Sequence, residues 1–461
     1  MTTAVSQPPI PMASGALPLL GHAVPLLRDN LAFIASLRSQ GPLVRIKLQP
    51  QQPTVVVNDP ALIRRMLVDL APGLDKGRFF EKMGQVLGGD SVVTAAGTDH
   101  VRKRRQLQPA FRQAEIARYV ELMRGEVERT VAGWKPGEVI DVREAMVKLS
   151  LDMLAATVFS SSLDAHAFER LRNDLSVVMN GVGSRVMLPD WVEKLPLPAN
   201  RRFNASREAV RAIISEAVAA LRASGPDTGD MLSMLMRAED EETGQPLSGH
   251  QICSEVITLA VAGTETTASV LSWVLYELSR NPEVDKRLQA ELDEVLAGRP
   301  VAFEDVPKLT YLGRVIKEAL RLHHTGWLVT RRTLDTVTLG EWEIPAGTEL
   351  AYCQHALHRD PAFFPDPLRF DPDRWLDEEQ VAALPHGAFL PFGAGKHKCI
   401  GDHFAMTELT TAIATLAGTW RLSATPDQSV RPVARATVRP STLLMTPTRR
   451  APRGRVAAGG A

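Results

Sequence analysis

The sequence predicts a mainly α-helical protein with a small β-rich region near its N-terminus. The longest helical pattern begins at Ser248, where Gln251 completes a capping box. It continues to about Arg280, which at about 1.5 Å per residue is a length of roughly 50 Å. β-Branched residues instead concentrate at 43–48 and 54–57, on either side of a Pro- and Gln-rich turn, which indicates a hairpin. A small β region therefore precedes a mostly helical chain.

The elements after the hairpin follow from caps and from hydrophobic spacing. Asp59 precedes a proline and a helical pattern, so a helix is predicted directly after it. Residues 72–93 are rich in glycine and are predicted to form a long irregular loop, which in a compact protein is often functional. Further helices are predicted at 116–131, 142–159 and 204–223, loops at 225–230 and 241–246, and a strand–turn–strand unit at 336–347.

Composition and charge restrict the function classes. The chain has 461 residues, 44% of them hydrophobic and 23% charged, which is enough to bury a large core. Lys plus Arg and Asp plus Glu both number 53, so the net charge indicates neither a nucleic acid nor an anionic membrane as a partner. The three cysteines, Cys253, Cys353 and Cys399, are far apart, which argues against a disulfide framework and fits a reducing cytoplasm.

We expect one large folding unit, because no linker-like run or repeat interrupts residues 30–440. The predicted division is a partly flexible N-terminal segment at 1–29, a single domain at 30–445 and a disordered tail at 446–461. The N-terminus has neither a signal peptide nor about 20 consecutive apolar residues. The protein is therefore expected to be a soluble, cytoplasmic monomer with no membrane partner.

A glycine-rich loop at residues 392–401 surrounds Cys399 and is the first candidate site. Good helix formers follow directly, and the free N–H groups and dipole at a helix start favour thiolate over thiol. We expect Gly393, Gly395 and Gly401 to allow close backbone approach or positive φ, as a loop beneath a flat ligand requires. Residue types alone leave open a metal ligand, a reactive nucleophile or an ordinary buried cysteine.

A second candidate lies in the middle of the long helix, where residues 262–267 read Ala-Gly-Thr-Glu-Thr-Thr. Glycine costs about 1 kcal/mol relative to alanine in a helix interior, and a buried carboxylate costs more unless it is paired or hydrated. The stretch is therefore either functional or a helix-bending cluster. In the second case its hydroxyls bond carbonyls one turn back and Glu265 forms a structural ion pair.

Short helical spacings produce weaker candidates. His100 and Arg104 are four residues apart and share a helix face, so they could grip a carboxylate or belong to a solvated basic helix. Glu318 and Arg321 are three apart, and an exposed pair of this kind is worth only about 0.2 to 0.5 kcal/mol. Adjacent side chains diverge in direction, so His323-His324 is interpreted as loop polar groups and not as metal ligands.

Together these segments resemble the cytochrome P450 family of heme-thiolate monooxygenases, in the family's order across residues 96–405. The family's heme-binding signature, Phe-x-x-Gly-x-[Arg/His]-x-Cys-x-Gly, is matched at 392–401, and its Ala-Gly-x-[Asp/Glu]-Thr-[Thr/Ser] stretch is matched at 262–267. The resemblance implies a mainly α fold, a large helical domain with a small β-rich lobe. Heme would then be buried between the long central helix and the Cys loop.

The resemblance also implies roles for single residues. Cys399 would be the thiolate ligand of heme b (iron protoporphyrin IX), Thr266 would hydrogen-bond iron-bound dioxygen or its water, and Glu265 would connect the site to bulk protons. A kink at Gly263 would make the oxygen pocket. The other implied cofactor-binding residues are His100, Arg104, Arg331 (preferred to Arg332), His397, Phe392, Ala262, Gly263 and Gly401. The implied substrate pocket comprises Phe79, Phe80, Val182, Val261, Gly326, Trp327, Leu328 and Leu443, and the implied structural triad is Glu318, Arg321 and Arg374.

The implied activity is insertion of one oxygen atom of O2 into a C–H or C=C bond of a hydrophobic secondary metabolite, such as a terpenoid. A macrolide or other polyketide is the alternative substrate, and a heme-based sensor or carrier is the alternative class. The chain has no flavin or iron–sulfur motif, so electrons from NAD(P)H are expected through a ferredoxin and a ferredoxin reductase. We expect them to dock on Lys396, Lys398 and the leftover basic residues Arg102, Lys103, Arg105 and Arg112. His323-His324-Thr325 replaces the family's usual proline-rich turn.

Overall fold

A computed structural model shows a helical body with a small β region, as the sequence predicts. The structure describes residues 9–47, 53–89, 91–159, 163–187, 190–224, 230–239, 244–435 and 437–450. The predicted loops at 225–230 and 241–246 lie mostly outside the described residues. No helix in the described part of the chain is both long enough and apolar enough to cross a bilayer.

The helices are α1 Ala23–Ser36, α2 Pro60–Leu67, α3 Arg78–Leu87, α4 Gly97–Leu107, α5 Gln113–Ala132, α6 Val142–Phe159, α7 Ala165–Met187, α8 Asp190–Glu193, α9 Pro198–Ser224, α10 Met231–Arg237, α11 Gly249–Arg280, α12 Pro282–Leu296, α13 Thr310–Leu322, α14 Gln354–Leu357, α15 Glu378–Ala382 and α16 Asp402–Thr419. The strands are β1 Leu43–Lys47, β2 Pro53–Val57, β3 Leu74–Asp75, β4 Ile140–Asp141, β5 Val329–Thr333, β6 Val337–Leu339, β7 Trp342–Ile344, β8 Glu349–Tyr352, β9 Trp420–Ala424, β10 Pro432–Ala434, β11 Val438–Pro440 and β12 Leu444–Arg449.

The long helix α11 forms the centre of the helical body. Its predicted capping box is confirmed, because the Gln251 N–H donates to Ser248 Oγ at 3.2 Å and the Ser248 N–H donates to Gln251 Oε1 at 2.9 Å. The helix packs against α6, α9, α13 and α16, which explains why it is apolar on most sides. It runs through Gly263 as one continuous helix, so the expected kink there does not interrupt it.

The main sheet has five strands in the order β1-β2-β8-β5-β3. The predicted hairpin is confirmed, with β1 and β2 antiparallel and Leu43 opposite Val57. β2 runs parallel to β8, and β8 runs antiparallel to β5. This order carries β5 to the edge strand β3, where Asp75 lies opposite Arg332. The sheet therefore positions the arginines of β5 beside the segment that follows β3.

The prediction of an irregular loop at 72–93 is wrong, because α3 occupies its centre. Two glycines with positive φ bound this helix: Gly77 at the N-cap, with φ +90°, and Gly88 at the C-cap, with φ +74°. The glycines therefore mark the ends of a helix and not a disordered run. β12 reaches Arg449, so the boundary predicted at residue 445 falls inside a strand, while residues 451–461 lie outside the described part.

A buried ion pair on α13 ties the helical body to the segment after α14. Arg321 is 0% exposed, and it donates to Glu318 from Nε at 2.9 Å and from Nη2 at 2.8 Å. Its Nη1 also donates to the carbonyls of His358 and Pro367, each at 2.8 Å. Arg374 completes the predicted triad, with Nε donating to Glu318 Oε1 at 3.4 Å. The three side chains are thus brought together, although the helical spacing alone was a weak signal.

We expect Glu318→Ala to lower the free energy of unfolding by about 3 to 5 kcal/mol, because it leaves the buried Arg321 guanidinium without its counter-charge. Chemical denaturation measures this loss. The matched control is Glu115→Ala, which removes the partner of the exposed Arg118 at 3.5 Å and should cost less than about 1 kcal/mol. Equal losses in the two variants would contradict a structural role for the triad.

Candidate functional site

The Cys399 loop is shaped by two left-handed glycines and one internal hydrogen bond. The Cys399 N–H donates to the Phe392 carbonyl at 2.9 Å, which closes the loop. Gly393 has φ +70° and Gly395 has φ +68°, as predicted. The expectation of positive φ does not hold for Gly401, whose φ is −95° and which instead precedes α16 as its N-cap.

Cys399 is an exposed residue, and yet its thiol lies among enough protein atoms for burial to affect its pKa. Burial raises the pKa of the Cys399 thiol, and the nearby Gly401 N–H opposes this rise. This direction is opposite to the thiolate preference expected from the helix start. One backbone N–H at the helix start does not offset the loss of hydration.

The 262–267 stretch of α11 is the second candidate site. Ala262 is exposed although it lies in the middle of a buried helix, and a Cβ placed on Gly263 would meet no atom within 4 Å. The Thr266 hydroxyl donates to the Ala262 carbonyl at 2.8 Å, and Ser269 donates to the Glu265 carbonyl at 2.8 Å. The hydroxyls thus bond one turn back, as the structural alternative expected, while the helix surface beside them stays open.

Glu265 lies near Arg439, which is on β11 in the β10–β11 hairpin. Its Oε1 is 3.9 Å from Nε of Arg439, and both side chains are partly exposed. The ion pair predicted by the structural alternative is therefore present, but it is too long for a direct hydrogen bond. The Glu265 carboxylate therefore keeps partial contact with solvent.

Several cationic or protonatable side chains converge between α4, β5 and the Cys loop. His100 is 3% exposed and Arg331 is 6% exposed, and the His100 and His397 rings lie 4.3 Å apart. Within the described ranges, Nδ1 of His100 and both ring nitrogens of His397 have no hydrogen-bond partner. Buried polar atoms are rarely left unpaired, so this cluster is suited to an anionic ligand.

Lys76 belongs to the same cluster and was missed by the sequence reasoning. Its ammonium is buried and donates to the carbonyls of Val92 at 2.6 Å and Val93 at 2.8 Å. Burial and then the charge of Arg331 lower the Lys76 pKa to about 7, which shows that the cluster carries excess positive charge. Burial and then the charge of Lys76 lower the His100 pKa to about 3.

The structure also distinguishes the two arginines of β5. Arg331 is buried, and its Nη1 donates to the Thr330 carbonyl at 2.7 Å. Arg332 lies toward the surface and donates to Glu81 on α3 through both terminal nitrogens, from Nη1 at 3.1 Å. The strand alternates sides, so only Arg331 reaches the cationic cluster.

Arg104 has a different partner from the rest of the cluster. Its Nη1 donates to the Lys398 carbonyl at 2.6 Å, so it fixes the Cys loop through backbone. Lys103, which the sequence placed on a surface docking face, is instead buried with Nζ 3.8 Å from Glu255. A buried ion pair of this kind cannot contact a docking protein.

The predicted substrate-pocket residues separate into two groups. Phe79 and Phe80 on α3 lie edge to face, 5.4 Å apart, and are only partly buried, as is Val261 on α11. Val182 and Leu443 are buried in the core, at 3% and 0% exposure. Gly326, Trp327 and Leu328 are partly exposed, and the last two pack on the cluster formed by the N-terminal helix and β1. The partly exposed group alone presents surface to a ligand.

The two adjacent histidines bind protein groups, as predicted for loop polar residues. His323 Nε2 lies 2.6 Å from Glu277 Oε1, and its ring stacks on Trp273 with centroids 3.9 Å apart. His324 Nδ1 accepts from the Gly326 N–H at 2.8 Å. No group of three or more His, Cys, Asp or Glu in the described part of the chain is arranged to hold a metal ion.

The residues present fit the heme that the sequence resemblance implies. Cys399 is exposed in the loop, and on α11 Ala262 is exposed and a Cβ placed on Gly263 would meet no atom within 4 Å outside its own helix backbone. The unpaired ring nitrogens and the mutually repelling cations supply the donors and charge that two carboxylates need. A planar dicarboxylate with a metal centre satisfies all three features.

Comparisons with known proteins agree with this geometry. The family model described as Cytochrome P450 matches residues 11–450. The chain is 42% identical to cyclooctat-9-en-7-ol 5-monooxygenase of Streptomyces melanosporofaciens, over 90% of each chain. It is 37% identical to pentalenene oxygenase of Streptomyces avermitilis, over 95% of this chain and 97% of that one.

A solved structure supports the same fold. The crystal structure of the cytochrome P450DA heme domain superposes with a TM-score of 0.85 at 26% identity. The match covers 97% of this chain and 99% of that chain. The helical body and the β region described above are therefore shared with a heme-binding domain along nearly their whole length.

We expect Gly395→Ala to damage the Cys loop more than Gly393→Ala does. Both glycines have positive φ, which costs an alanine roughly 1 to 2 kcal/mol. A Cβ at Gly395 would also lie 2.0 Å from the Leu67 carbonyl oxygen, whereas at Gly393 the nearest atom is 3.9 Å away. Thermal unfolding and the yield of heme-loaded protein measure the difference, and equal behaviour of the two variants would contradict this account of the loop.

Proposed function

This chain belongs to the cytochrome P450 family and is a monooxygenase, and we propose that its substrate is a cyclic terpenoid hydrocarbon or alcohol. The observation that carries the proposal is the similarity along nearly the whole chain to two oxygenases named for cyclooctat-9-en-7-ol and pentalenene. Both names denote unsaturated carbocycles. The partly exposed apolar residues Phe79, Phe80 and Val261 are compatible with such a substrate, because they offer shape and dispersion contacts with no charge.

We propose that Cys399 would bind the heme iron through its sulfur and that Arg331, His100, His397 and Lys76 would hold the heme carboxylates. The exposure of Cys399 and the unpaired ring nitrogens of His100 and His397 support these assignments. Arg104 would act on the loop, through the Lys398 carbonyl, more than on the heme. A bound dianion would return the lowered pKa of Lys76 toward its ordinary value, since it neutralises the charges that lower it.

When bound, the heme supplies the dioxygen chemistry that side chains lack. Thr266 donates its hydroxyl hydrogen to the Ala262 carbonyl, so its Oγ1 lone pairs are free to accept a hydrogen bond from water or a ligand group. Glu265 keeps contact with solvent beside Arg439, so its carboxylate takes up protons from outside and passes them toward Thr266. The apolar residues of α3 and α11 exclude bulk water from the remaining space.

We expect the purified protein, with a ferredoxin and its reductase, to convert a cyclic terpene olefin or alcohol to a product that carries one oxygen atom from labelled O2. Thr266→Ala should lower product formed per NAD(P)H consumed by roughly tenfold, because the hydroxyl that holds a proton at the site is lost. Mass spectrometry of the product and oxidation of NAD(P)H measure both quantities.

The control for this experiment is Ser269→Ala on the same helix, whose hydroxyl binds only the Glu265 carbonyl in the structure. It should leave the yield per NAD(P)H near that of the unaltered protein. Conversion of macrolides with no turnover of terpenoids would overturn the substrate proposal. An unchanged yield in Thr266→Ala would overturn the role proposed for that hydroxyl.

We propose that the electrons arrive from NAD(P)H through a ferredoxin that docks beside the Cys loop. Arg112 is exposed and follows Phe111, whose ring lies 3.5 Å from a Cβ placed on Gly401. Lys398 is also exposed, although Asp402 pairs with it at 2.5 Å. Lys396 is partly buried and donates to the Leu74 carbonyl at 3.4 Å, so it contributes less to this face than the sequence suggested.

We expect Arg112→Glu combined with Lys398→Glu to slow reduction by an acidic ferredoxin by about tenfold at low salt, because steering charge is reversed. Stopped-flow spectroscopy at several salt concentrations measures this rate. Arg431→Glu is the matched control, since Arg431 is exposed directly before β10, in the hairpin that packs on α11. Equal slowing by the control would contradict a docking face beside the Cys loop.

A further inference from the structure

The segment that enters the Cys loop is held by three buried side chains. Gln354 Nε2 donates to the Leu390 carbonyl at 2.5 Å, and the Leu390 N–H donates to His358 Nε2 at 2.9 Å. His324 Nε2 donates to the next carbonyl, that of Pro391, at 3.0 Å. The three side chains are at most 4% exposed, so none of these bonds competes with bulk water.

We propose that His324 is a positioning residue for Cys399, acting through the Pro391 carbonyl. The next residue along the chain is Phe392, whose carbonyl accepts the Cys399 N–H at 2.9 Å. A bond at Pro391 therefore fixes the peptide that in turn fixes the cysteine. This inference rests on the proposed role of Cys399 as the heme ligand and extends it to a residue 75 positions earlier in the chain.

The two ring nitrogens of His324 make different hydrogen bonds. Nδ1 accepts from the Gly326 N–H at 2.8 Å, so it carries no proton, and Nε2 must then be the nitrogen that donates to Pro391. Burial lowers the pKa of His324, which keeps this neutral tautomer. The His324 imidazole thus links the loop that carries Cys399 to the turn that leads into β5, the strand that carries Arg331.

A proline at this position, as in the turn that His323-His324-Thr325 replaces, has no side-chain donor for Pro391. The bond to the Cys loop is therefore a feature of this chain and not of the turn itself. The neighbouring ring of His358 lies edge to face with His324, with centroids 4.9 Å apart, and holds the preceding residue. The pair fixes two successive residues of the loop entry.

Two conservative substitutions test the two hydrogen bonds of His324 separately. His324→Gln keeps an amide donor near the position of Nε2 and loses the short-range acceptor, whereas His324→Asn keeps an acceptor for the Gly326 N–H and cannot reach Pro391. If His324 positions Cys399, His324→Asn should lose the thiolate-type Soret band of the reduced, carbon-monoxide-bound protein roughly fivefold faster on warming. His324→Gln should stay close to the unaltered protein.

Hydrogen exchange of the heme-loaded protein provides a readout that needs no turnover. The Cys399 amide should exchange roughly fivefold faster in His324→Asn than in His324→Gln. His323→Asn is the control for general destabilisation, because His323 binds Glu277 and makes no bond to the loop. It should lower the thermal midpoint without changing exchange at Cys399.

The opposite order, with His324→Gln more damaging than His324→Asn, would overturn the proposal and assign His324 to the local turn alone. Equal behaviour of both variants and the unaltered protein would also overturn it. Absence of a thiolate-type Soret band in the unaltered protein would instead refute the role of Cys399 itself, so the two failures are distinguishable.

Discussion

The buried guanidinium of Arg321 is the constraint on which the site depends. It has no exposed surface, so its charge must be met inside the protein, and Glu318 together with the carbonyls of His358 and Pro367 meets it. This fixes the His358 backbone, and the His358 ring then accepts the N–H of Leu390 at the entry to the Cys loop. A pair three residues apart on one helix thereby determines where a distant loop begins.

Charge sets the second constraint. Four side chains lie close together: Lys76 just after β3, His100 on α4, Arg331 on β5 and His397 in the Cys loop. Burial and the repulsion between these groups lower the pKa of Lys76 and the pKa of His100. Each group loses hydration without gaining a full set of partners. This imbalance explains why the region suits a dianionic cofactor. Arg332, one residue away, lies on the other side of β5 and pairs with Glu81, so it takes no part.

Most of the confirmed predictions of secondary structure rest on local sequence motifs. The capping box of α11, the β1–β2 hairpin and the extent of α6 followed from residues that are neighbours in sequence, and the structure confirms them. The prediction of a loop at 72–93 also used only local sequence, and it was wrong. The glycines at the two ends of α3 look like part of a glycine-rich loop when the packing is unknown. The thiolate preference was expected from the helix start alone, whereas burial, which no local pattern reports, raises the pKa of the Cys399 thiol.

The sequence by itself determined the family resemblance, the Cys399 loop, the 262–267 stretch and the Glu318–Arg321 pair, because each combines particular residues at short, fixed spacings. Only the tertiary structure decided that Lys76 joins the cationic cluster, that Lys103 is buried and that His324 reaches Pro391. These contacts join distant parts of the chain. They depend on how helices and strands pack, and packing is set by the sum of many weak contacts that no short motif contains.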